Sequence, residues 1–338
     1  MSFRSAGHLT RPGALVLLAG ALLVAILLSL KIGSIPVSTA DAVDALFRYS
    51  PASYEQTVVR QMRLPRTLIG PGIGAALAVA GAAMQAATRN PLADPSLLGI
   101  NSGAAFGIVT AMYLVGLGNP IQYVWFAFAG ALAAAVLAYG IAAAHGGGTS
   151  LVKLALSGVI VSALLNSWTT ALLLLHKEAL DVVRFWLAGS LAGRDLGVFL
   201  SVAPFLAVGL LGMLMLGPHL NALSLGEETA RSLGMRTDRM RALIAALVVL
   251  LAGSAVAAAG PVGFVGLAVP HIVRGYTGPD YRWVLPCSML AGPLLLISAD
   301  ITGRVLARPS ELQVGIVTAL AGAPFLIAIA RRRKVAEL

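Results

Sequence analysis

The sequence predicts an all-α integral membrane protein that forms one transmembrane domain over residues 1–338. Composition is the first observation that leads to this prediction. Hydrophobic residues make up 58% of the chain and charged residues only 11%, whereas soluble domains are about half apolar and a quarter charged. The mean hydropathy of +0.87 agrees with this. The second observation is that apolar segments of about 20 residues, the length that crosses a bilayer as a helix, recur along the chain.

Nine predicted spans are separated mostly by short polar connections. They are 12–30, 67–87, 97–117, 120–144, 154–175, 196–216, 242–259, 283–299 and 314–330. A tenth candidate, 262–273, is short and contains Pro270. Ten crossings put the N-terminal arginines on the same side as the basic cluster at 331–334, as the positive-inside tendency favours, whereas nine would separate them. We therefore expect ten crossings, both termini in the cytoplasm, and a first helix that is retained rather than cleaved as a signal peptide.

Two connections and one spacing pattern add detail. In the outer loop 32–66, the sequence VRQMRLPR predicts a short helix, and we expect Pro65 to restart the chain into the second span. The segment 176–195 is amphipathic and too polar to cross, which indicates an interfacial or a re-entrant helix. Glycines at four-residue spacing favour close packing of helices. They are Gly70 and Gly74 in the second span, and Gly99, Gly103 and Gly107 in the third.

The most polar stretch outside the termini is 218–241, which lies between two long apolar segments. Its pattern predicts two short helices. Ser224 is placed to cap the first and Gly234 to end it, and Thr237 is placed to cap the second. Such a stretch is either a solvated loop or a compact helical knob on which another protein docks.

Arginines cluster at the outer ends of two predicted spans. Arg60, Arg63 and Arg66 precede the second span, and Arg304 and Arg308 precede the tenth. They either extend to lipid headgroups, as arginines at span ends commonly do, or form a cationic surface that receives an acidic partner. The net charge of +10 suits anionic lipid headgroups and acidic proteins in a membrane protein, and does not favour nucleic acid.

Several kinds of chemistry are missing from the sequence. The glycine run at 146–150 has no Lys before its Thr, so it is not a phosphate-binding Walker A loop. Neither HExxH nor a cysteine pair occurs, and we expect no metal or cofactor. Asp300 lies at the outer end of its span and no carboxylate lies mid-span, where ion-coupled carriers usually place one. The main polar residues within spans either satisfy neighbouring helices or line a wet path. They are Asn101, Ser157, Ser162 and Asn166.

Three segments carry a resemblance to a known family. Residues 63–107 (with NPLADP), 260–274 (VGxxVPHxxR) and 299–327 (ending in Gly-Ala-Pro-Phe) closely resemble the permeases of ABC importers for ferric siderophores and cobalamin. The resemblance extends from about residue 15 to the C-terminus. It implies the type II ABC importer permease fold of ten transmembrane helices, in the bacterial cytoplasmic membrane. It also implies a second permease (a copy or a paralogue), two ATPase subunits that hydrolyse ATP, and an extracytoplasmic substrate-binding protein.

The resemblance also implies roles for individual residues. The loop between spans six and seven would form the coupling helices that sit in a groove of the ATPase. Its matching residues are Glu227, Glu228, Ala230, Arg231 and Gly234. The outer arginines that would pair with glutamates of the binding protein are Arg63, Arg66 and Arg304. The cytoplasmic gate would be formed by Asn90 and Leu92 together with Thr149 and Ser150. The path would be lined by spans five and ten of both permeases.

The function that follows is import of a ferric siderophore or related iron chelate, with cobalamin or haem as the alternative cargo. Two other classes of protein are alternatives. An ion-coupled secondary carrier would work without an ATPase. An intramembrane enzyme would need a catalytic pair inside the spans, and the sequence offers none at workable spacing.

Overall fold

The computed structural model describes residues 10–116, 120–144, 151–175, 183–184 and 186–336, and these residues form helices without any strand. The helices that precede the polar stretch are Arg11–Lys31 (α1), Thr39–Phe47 (α2), Tyr54–Thr88 (α3), Ile100–Val115 (α4), Pro120–Ala144 (α5), Leu151–Leu175 (α6) and Leu196–Met215 (α7). The helices that form the polar stretch and continue after it are Gly217–Ser224 (α8), Glu227–Ser232 (α9), Thr237–Ala259 (α10), Val265–Thr277 (α11), Tyr281–Leu306 (α12) and Val314–Ala336 (α13).

Helices occur at all ten predicted crossing positions, in the predicted order. Seven of them in the described chain are long and apolar enough to cross a membrane, and α4 and α13 are shorter apolar helices. The tenth, α11, has 13 residues and is therefore about 20 Å long. That length is less than the hydrocarbon core of about 30 Å, as its short apolar run and Pro270 indicated.

The central helix of the bundle is α3, which is buried almost continuously from Ile69 to Ala86. Small residues allow this, because a side chain at Gly74 has no space. A Cβ there would lie 2.6 Å from the backbone nitrogen of Pro293 and 2.7 Å from the carbonyl oxygen of Gly292, both in α12. In α4, a Cβ at Gly103 would contact the backbone of Gly130 in α5. The predicted close packing is confirmed at Gly74, Gly103 and Gly107, where helix backbones are in direct contact. Gly70 instead packs against side chains, and Gly99 lies before α4 with φ +75°.

The start of α3 differs from the prediction. The chain does not restart at Pro65, because the helix is continuous from Tyr54 and widens into a π-helical segment over Val58–Arg63. The wider π-helical turn leaves room for the ring of Pro65. It also does not depend on a backbone N–H, which proline lacks. The predicted short helix is therefore part of α3, which carries Arg60, Arg63 and Arg66.

The segment 176–195 is described only at residues 183–184 and 186–195. Val183, Trp186 and Leu191 are buried there, and Leu191 packs close to Gly70 in α3. Burial against a central helix favours the re-entrant alternative over a helix lying on the membrane surface.

Candidate functional site

The polar stretch contains the two predicted helices but not their predicted caps: the first is α9, between Ser224 and Gly234, and the second is α10, which begins at Thr237. A further short helix, α8, precedes them, and α8 and α9 together form a knob. Ser224 is the last residue of α8, where its hydroxyl donates to the carbonyl of Asn221 at 2.7 Å. The helix α9 has Gly226 before it and no side-chain cap. Thr237 is the first residue of α10, and its hydroxyl accepts a hydrogen bond from Arg231 at 3.2 Å. The predicted end at Gly234 is correct, since this residue has φ +82°, a conformation that favours glycine.

Ion pairs fasten α9 to the beginning of α10. One carboxylate oxygen of Glu227 lies 2.7 Å from a guanidinium nitrogen of Arg231, and the other lies 3.0 Å from one of Arg241. Ala230 is fully buried beneath them. Of the five predicted coupling residues, Glu227, Ala230 and Arg231 therefore stabilise the knob itself.

The exposed side of the knob has a different composition. Glu228 is exposed and forms no ion pair among the described residues. Leu225 and Leu233 are each 68% exposed. Beside them Gly234 faces open space, since a Cβ added to it would have no atom within 4 Å. A free carboxylate flanked by two exposed leucines is the type of surface that a partner protein can cover.

Asn221 and Asp280, which the sequence reasoning missed, connect the knob to α12. The amide nitrogen of Asn221 donates to Asp280 at 2.7 Å, and its amide oxygen accepts from the backbone N–H of Tyr281 at 2.7 Å. Hydrogen bonds from Arg282 and then from Asn221 lower the pKa of Asp280 well below its usual range. The sequence did contain a signal for Asp280, because an aspartate directly before an apolar span is typical of a helix N-cap.

The outer arginines lie in an unexpected environment. Arg63, Arg66 and Arg304 have only 3%, 3% and 1% of their surface exposed. Within the described chain these three guanidinium groups are therefore buried and not exposed on the outer surface. Arg60 and Arg308 are exposed instead: Arg60 lies over the ring of Tyr49, and Arg308 donates to the carbonyl of Gly33 at 2.8 Å.

The buried arginines are bound to the end of α1. Arg304 donates to the carbonyls of Ser29 at 2.8 Å and Ile32 at 3.0 Å. Arg63 donates to those of Leu30 at 3.0 Å, Lys31 at 2.6 Å and Ile35. The last carbonyls of a helix have no partner within the helix. The guanidinium groups supply those partners and so join α1, α3 and α12.

Two carboxylates complete this outer charge cluster. Asp300 lies 2.7 Å from Arg304 and 3.9 Å from Arg66. Glu311, in the turn before α13, lies 2.9 Å from Arg66 and accepts from Ser34 at 3.0 Å. Burial raises the pKa of Glu311, but Arg66 and these hydrogen bonds outweigh it, so the pKa is lowered overall.

The predicted gate is described on one side only. In NPLADP, the side chain of Asn90 accepts from the N–H of Leu92 at 2.9 Å, and Asp94 accepts from Ser96 at 2.9 Å. These consecutive side chain-to-backbone turns explain why the motif needs Asn and Asp. Leu92 is exposed. Thr149 and Ser150 lie outside the described residues.

Comparison with known proteins gives a consistent result. A model of the FecCD transport family matches residues 21–332. The Fe(3+)-citrate import system permease protein YfmD of Bacillus subtilis is 44% identical over 90% of both chains. The ferric enterobactin transport system permease protein FepD of Escherichia coli is 44% identical over 95% of both. A solved structure described as an inward-facing conformation of a metal-chelate type ABC transporter has a TM-score of 0.81 and 31% identity, over 95% of this chain and 99% of that one. The chain therefore belongs to the FecCD transport family.

Proposed function

We propose that this chain is the permease subunit of an ATP-driven importer that carries a ferric siderophore or related iron chelate across the bacterial cytoplasmic membrane. The observation that carries this proposal is that one helix, α12, is tied at both ends. Asn221 holds its beginning to the knob, and Arg304 holds its end to α1. The names of the two import permeases that are 44% identical to this chain supply the cargo class.

The 26 residues of α12 form a rod of about 39 Å. An ATPase subunit docks on the exposed side of the knob, with Glu228 and Leu233 in its groove, and its ATP-driven closure displaces α8 and α9. Because Asn221 holds Tyr281 and Asp280, α12 moves with the knob and passes the motion to the outer charge cluster. ATP hydrolysis belongs to the two ATPase partners, and a second permease, a copy or a paralogue, completes the pore.

In this proposal the beginning of α1 and the end of α13 lie on the knob side, which is cytoplasmic. Arg11 at the beginning of α1 lies 4.0 Å from Asp280 beside the knob. Leu312, just before α13, donates its N–H to Gly303 near the outer end of α12 at 3.2 Å, so α13 runs from the outer side towards the knob. The cytoplasmic gate is formed by Asn90 and Leu92 with Thr149 and Ser150.

The extracytoplasmic binding protein docks on the face that carries the outer charge cluster. Arg63, Arg66 and Arg304 serve this docking by fixing the shape of the face, because they are occupied within the chain. Arg60 and Arg308 are the exposed cations that meet acidic residues of the binding protein.

The test is uptake by the reconstituted complex. The permease, with its ATPase and binding protein, is placed in vesicles, and import of Fe(3+)-citrate, ferric enterobactin and cobalamin is measured with ATP and without it. We expect ATP-dependent import of an iron chelate. Import driven by an ion gradient without the ATPase would overturn the proposal in favour of a secondary carrier, and import of cobalamin alone would replace the cargo.

A further inference from the structure

A cavity lies beside the outer charge cluster and shares Glu311 with it. Its volume is about 340 Å³, and it lies between the segment 186–194 and the turn 311–313. The residues with polar side chains that line it are Trp186, Ser190, Arg194, Glu311 and Gln313. That volume is at the lower end of the range of small-molecule sites, about 300–1,000 Å³.

Arg194 supplies a positive charge that the described part of the chain leaves uncompensated. Its Nε donates to the carbonyl of Ser190 at 2.9 Å. None of the ion pairs formed by the described residues involves Arg194, in contrast to Arg66 and Arg304. Burial lowers the pKa of Arg194. A partly desolvated guanidinium without a carboxylate is energetically unfavourable unless an anion reaches it.

A further donor on the walls has spare hydrogen-bonding capacity. The hydroxyl oxygen of Ser190 accepts from the N–H of Ala192 at 3.0 Å, so its own proton is available to another acceptor. Trp186 contributes its ring to the wall, because its indole nitrogen is buried. A guanidinium N–H and a hydroxyl proton both need acceptors, so these groups are matched by a ligand rich in acceptor oxygens.

The one carboxylate on the walls does not cancel the charge of Arg194. Glu311 is engaged elsewhere, with one oxygen 2.9 Å from Arg66 and the other 3.0 Å from the hydroxyl of Ser34. The charge of Glu311 is thereby compensated within the outer charge cluster, and Arg194 sets the preference of the cavity for anions.

The backbone around the cavity is fixed before any ligand arrives. Ser190 donates its N–H to Ala259 at the end of α10 at 2.9 Å, and Gly315 at the start of α13 donates to Gly189 at 2.9 Å. Gly189 cannot carry a side chain, because a Cβ there would contact the backbone of Pro261. A donor set held in this way binds without the entropic loss of ordering a loop.

We propose that this cavity binds a carboxylate group of an anionic iron chelate at the outer mouth of the transport path, with Arg194 as the ion-pairing residue and Ser190 as a hydrogen-bond donor. The choice of ligand rests on the import function proposed above. A tricarboxylate such as citrate is small enough for the volume, and a planar guanidinium matches a carboxylate with two parallel hydrogen bonds.

The direct test measures binding to the full-length permease in a neutral detergent without anionic lipid, by calorimetric titration with citrate and with Fe(3+)-citrate. We expect Arg194→Gln to weaken both by about tenfold or more, because hydrogen bonds to charged groups contribute about 1.5–3 kcal/mol. Ser190→Ala removes the hydroxyl donor and should weaken binding several-fold. Arg48→Gln, a change at an exposed outer arginine away from the cavity, should bind as the unmodified protein does.

A neutral ferric trihydroxamate chelate provides a second control, since the removal of Arg194 should not alter its binding. If Arg194→Gln lowers the unfolding temperature, Ser190→Ala and Arg194→Lys carry the test, with Lys restoring part of the affinity. Equal citrate affinities for Arg194→Gln and Arg48→Gln would overturn the inference, as would an unmodified permease that binds no citrate at millimolar concentration.

The binding measurement separates this inference from the proposed function. Citrate binding that depends on Arg194 would uphold the cavity even if the reconstituted complex imported no iron chelate, which would end the import proposal. ATP-driven import of Fe(3+)-citrate by a permease whose citrate binding is insensitive to Arg194→Gln would leave the import proposal intact and overturn the cavity.

Discussion

The knob on one side of the molecule and the outer charge cluster on the other are both built from arginines and carboxylates, but burial makes them different structures. In the knob, the guanidinium of Arg231 is 58% exposed beside Glu227. In the outer charge cluster, Arg304 and Asp300 are 1% and 7% exposed. Exposed ion pairs contribute little to stability, whereas breaking a buried pair leaves an unpaired charge in a poorly solvated site. The knob is therefore suited to meeting a partner, and the outer charge cluster to holding helices together.

The largest effect on stability is expected from Asp300→Ala. It leaves Arg304 without its buried partner, and we expect a loss of about 3–5 kcal/mol, measured by unfolding of the purified permease. The milder variant Asp300→Asn should lose less, because its amide oxygen can still accept the hydrogen bond from Arg304. An Asp300→Ala variant as stable as the unmodified chain would show that this pair is not structural.

Asn221→Ala tests the connection between the knob and α12. It removes the acceptor of the Tyr281 N–H and one donor to Asp280, and we expect a loss of about 1–3 kcal/mol. The reconstituted complex should retain ATP hydrolysis and lose import. Ser224→Ala, at the exposed end of the same helix, serves as the control and should leave both unchanged. Normal import by Asn221→Ala would contradict transmission through α12.

Acidification should affect the outer charge cluster through Glu311. Its pKa is lowered below the ordinary value of 4.5, so its stabilising effect is present at neutral pH and is lost as the pH falls through the lowered pKa. Glu311→Gln should therefore be less stable than the unmodified chain near neutrality, and the difference should shrink in acid. Unfolding temperatures of both proteins across a pH series would measure this, and a constant difference would argue against it.

Glu227→Ala should have a small effect on stability, because its partners Arg231 and Arg241 are 58% and 23% exposed. We expect less than about 1 kcal/mol in the same unfolding measurement. A loss comparable to that of Asp300→Ala would erase the proposed distinction between the two regions.

Glu228→Arg should have the smallest effect on stability, within about 0.5 kcal/mol, since the residue is exposed and unpaired among the described residues. Its effect should appear instead as reduced co-purification of the ATPase subunit. Asp238→Arg reverses a charge that is 88% exposed nearby and is the matched control. Equal losses in the two variants would indicate a general charge effect, and no loss in either would contradict docking at Glu228.

Much of the fold was predictable from local pattern. The order of the crossings follows from apolar segments of sufficient length. Gly74 and Gly103 marked close contacts because a residue without a side chain is the one that lets two backbones meet. The caps at Ser224 and Thr237 were mispredicted, because α9 and α10 follow Gly226 and Arg236 without a side-chain cap, and the hydroxyl of Thr237 accepts from Arg231 instead. Asn221 was missed because its partner lies 59 positions away.

The sequence by itself determined that this chain is a helical membrane protein of the FecCD type, with a polar knob and an arginine-rich outer side. Tertiary structure alone decided which arginines are buried, which are exposed, and which form ion pairs among the described residues. The physical reason is that burial and pairing of a charge depend on groups remote in the chain. The carbonyl of Ser29 that binds Arg304 lies 275 positions before it, and no local pattern records that contact.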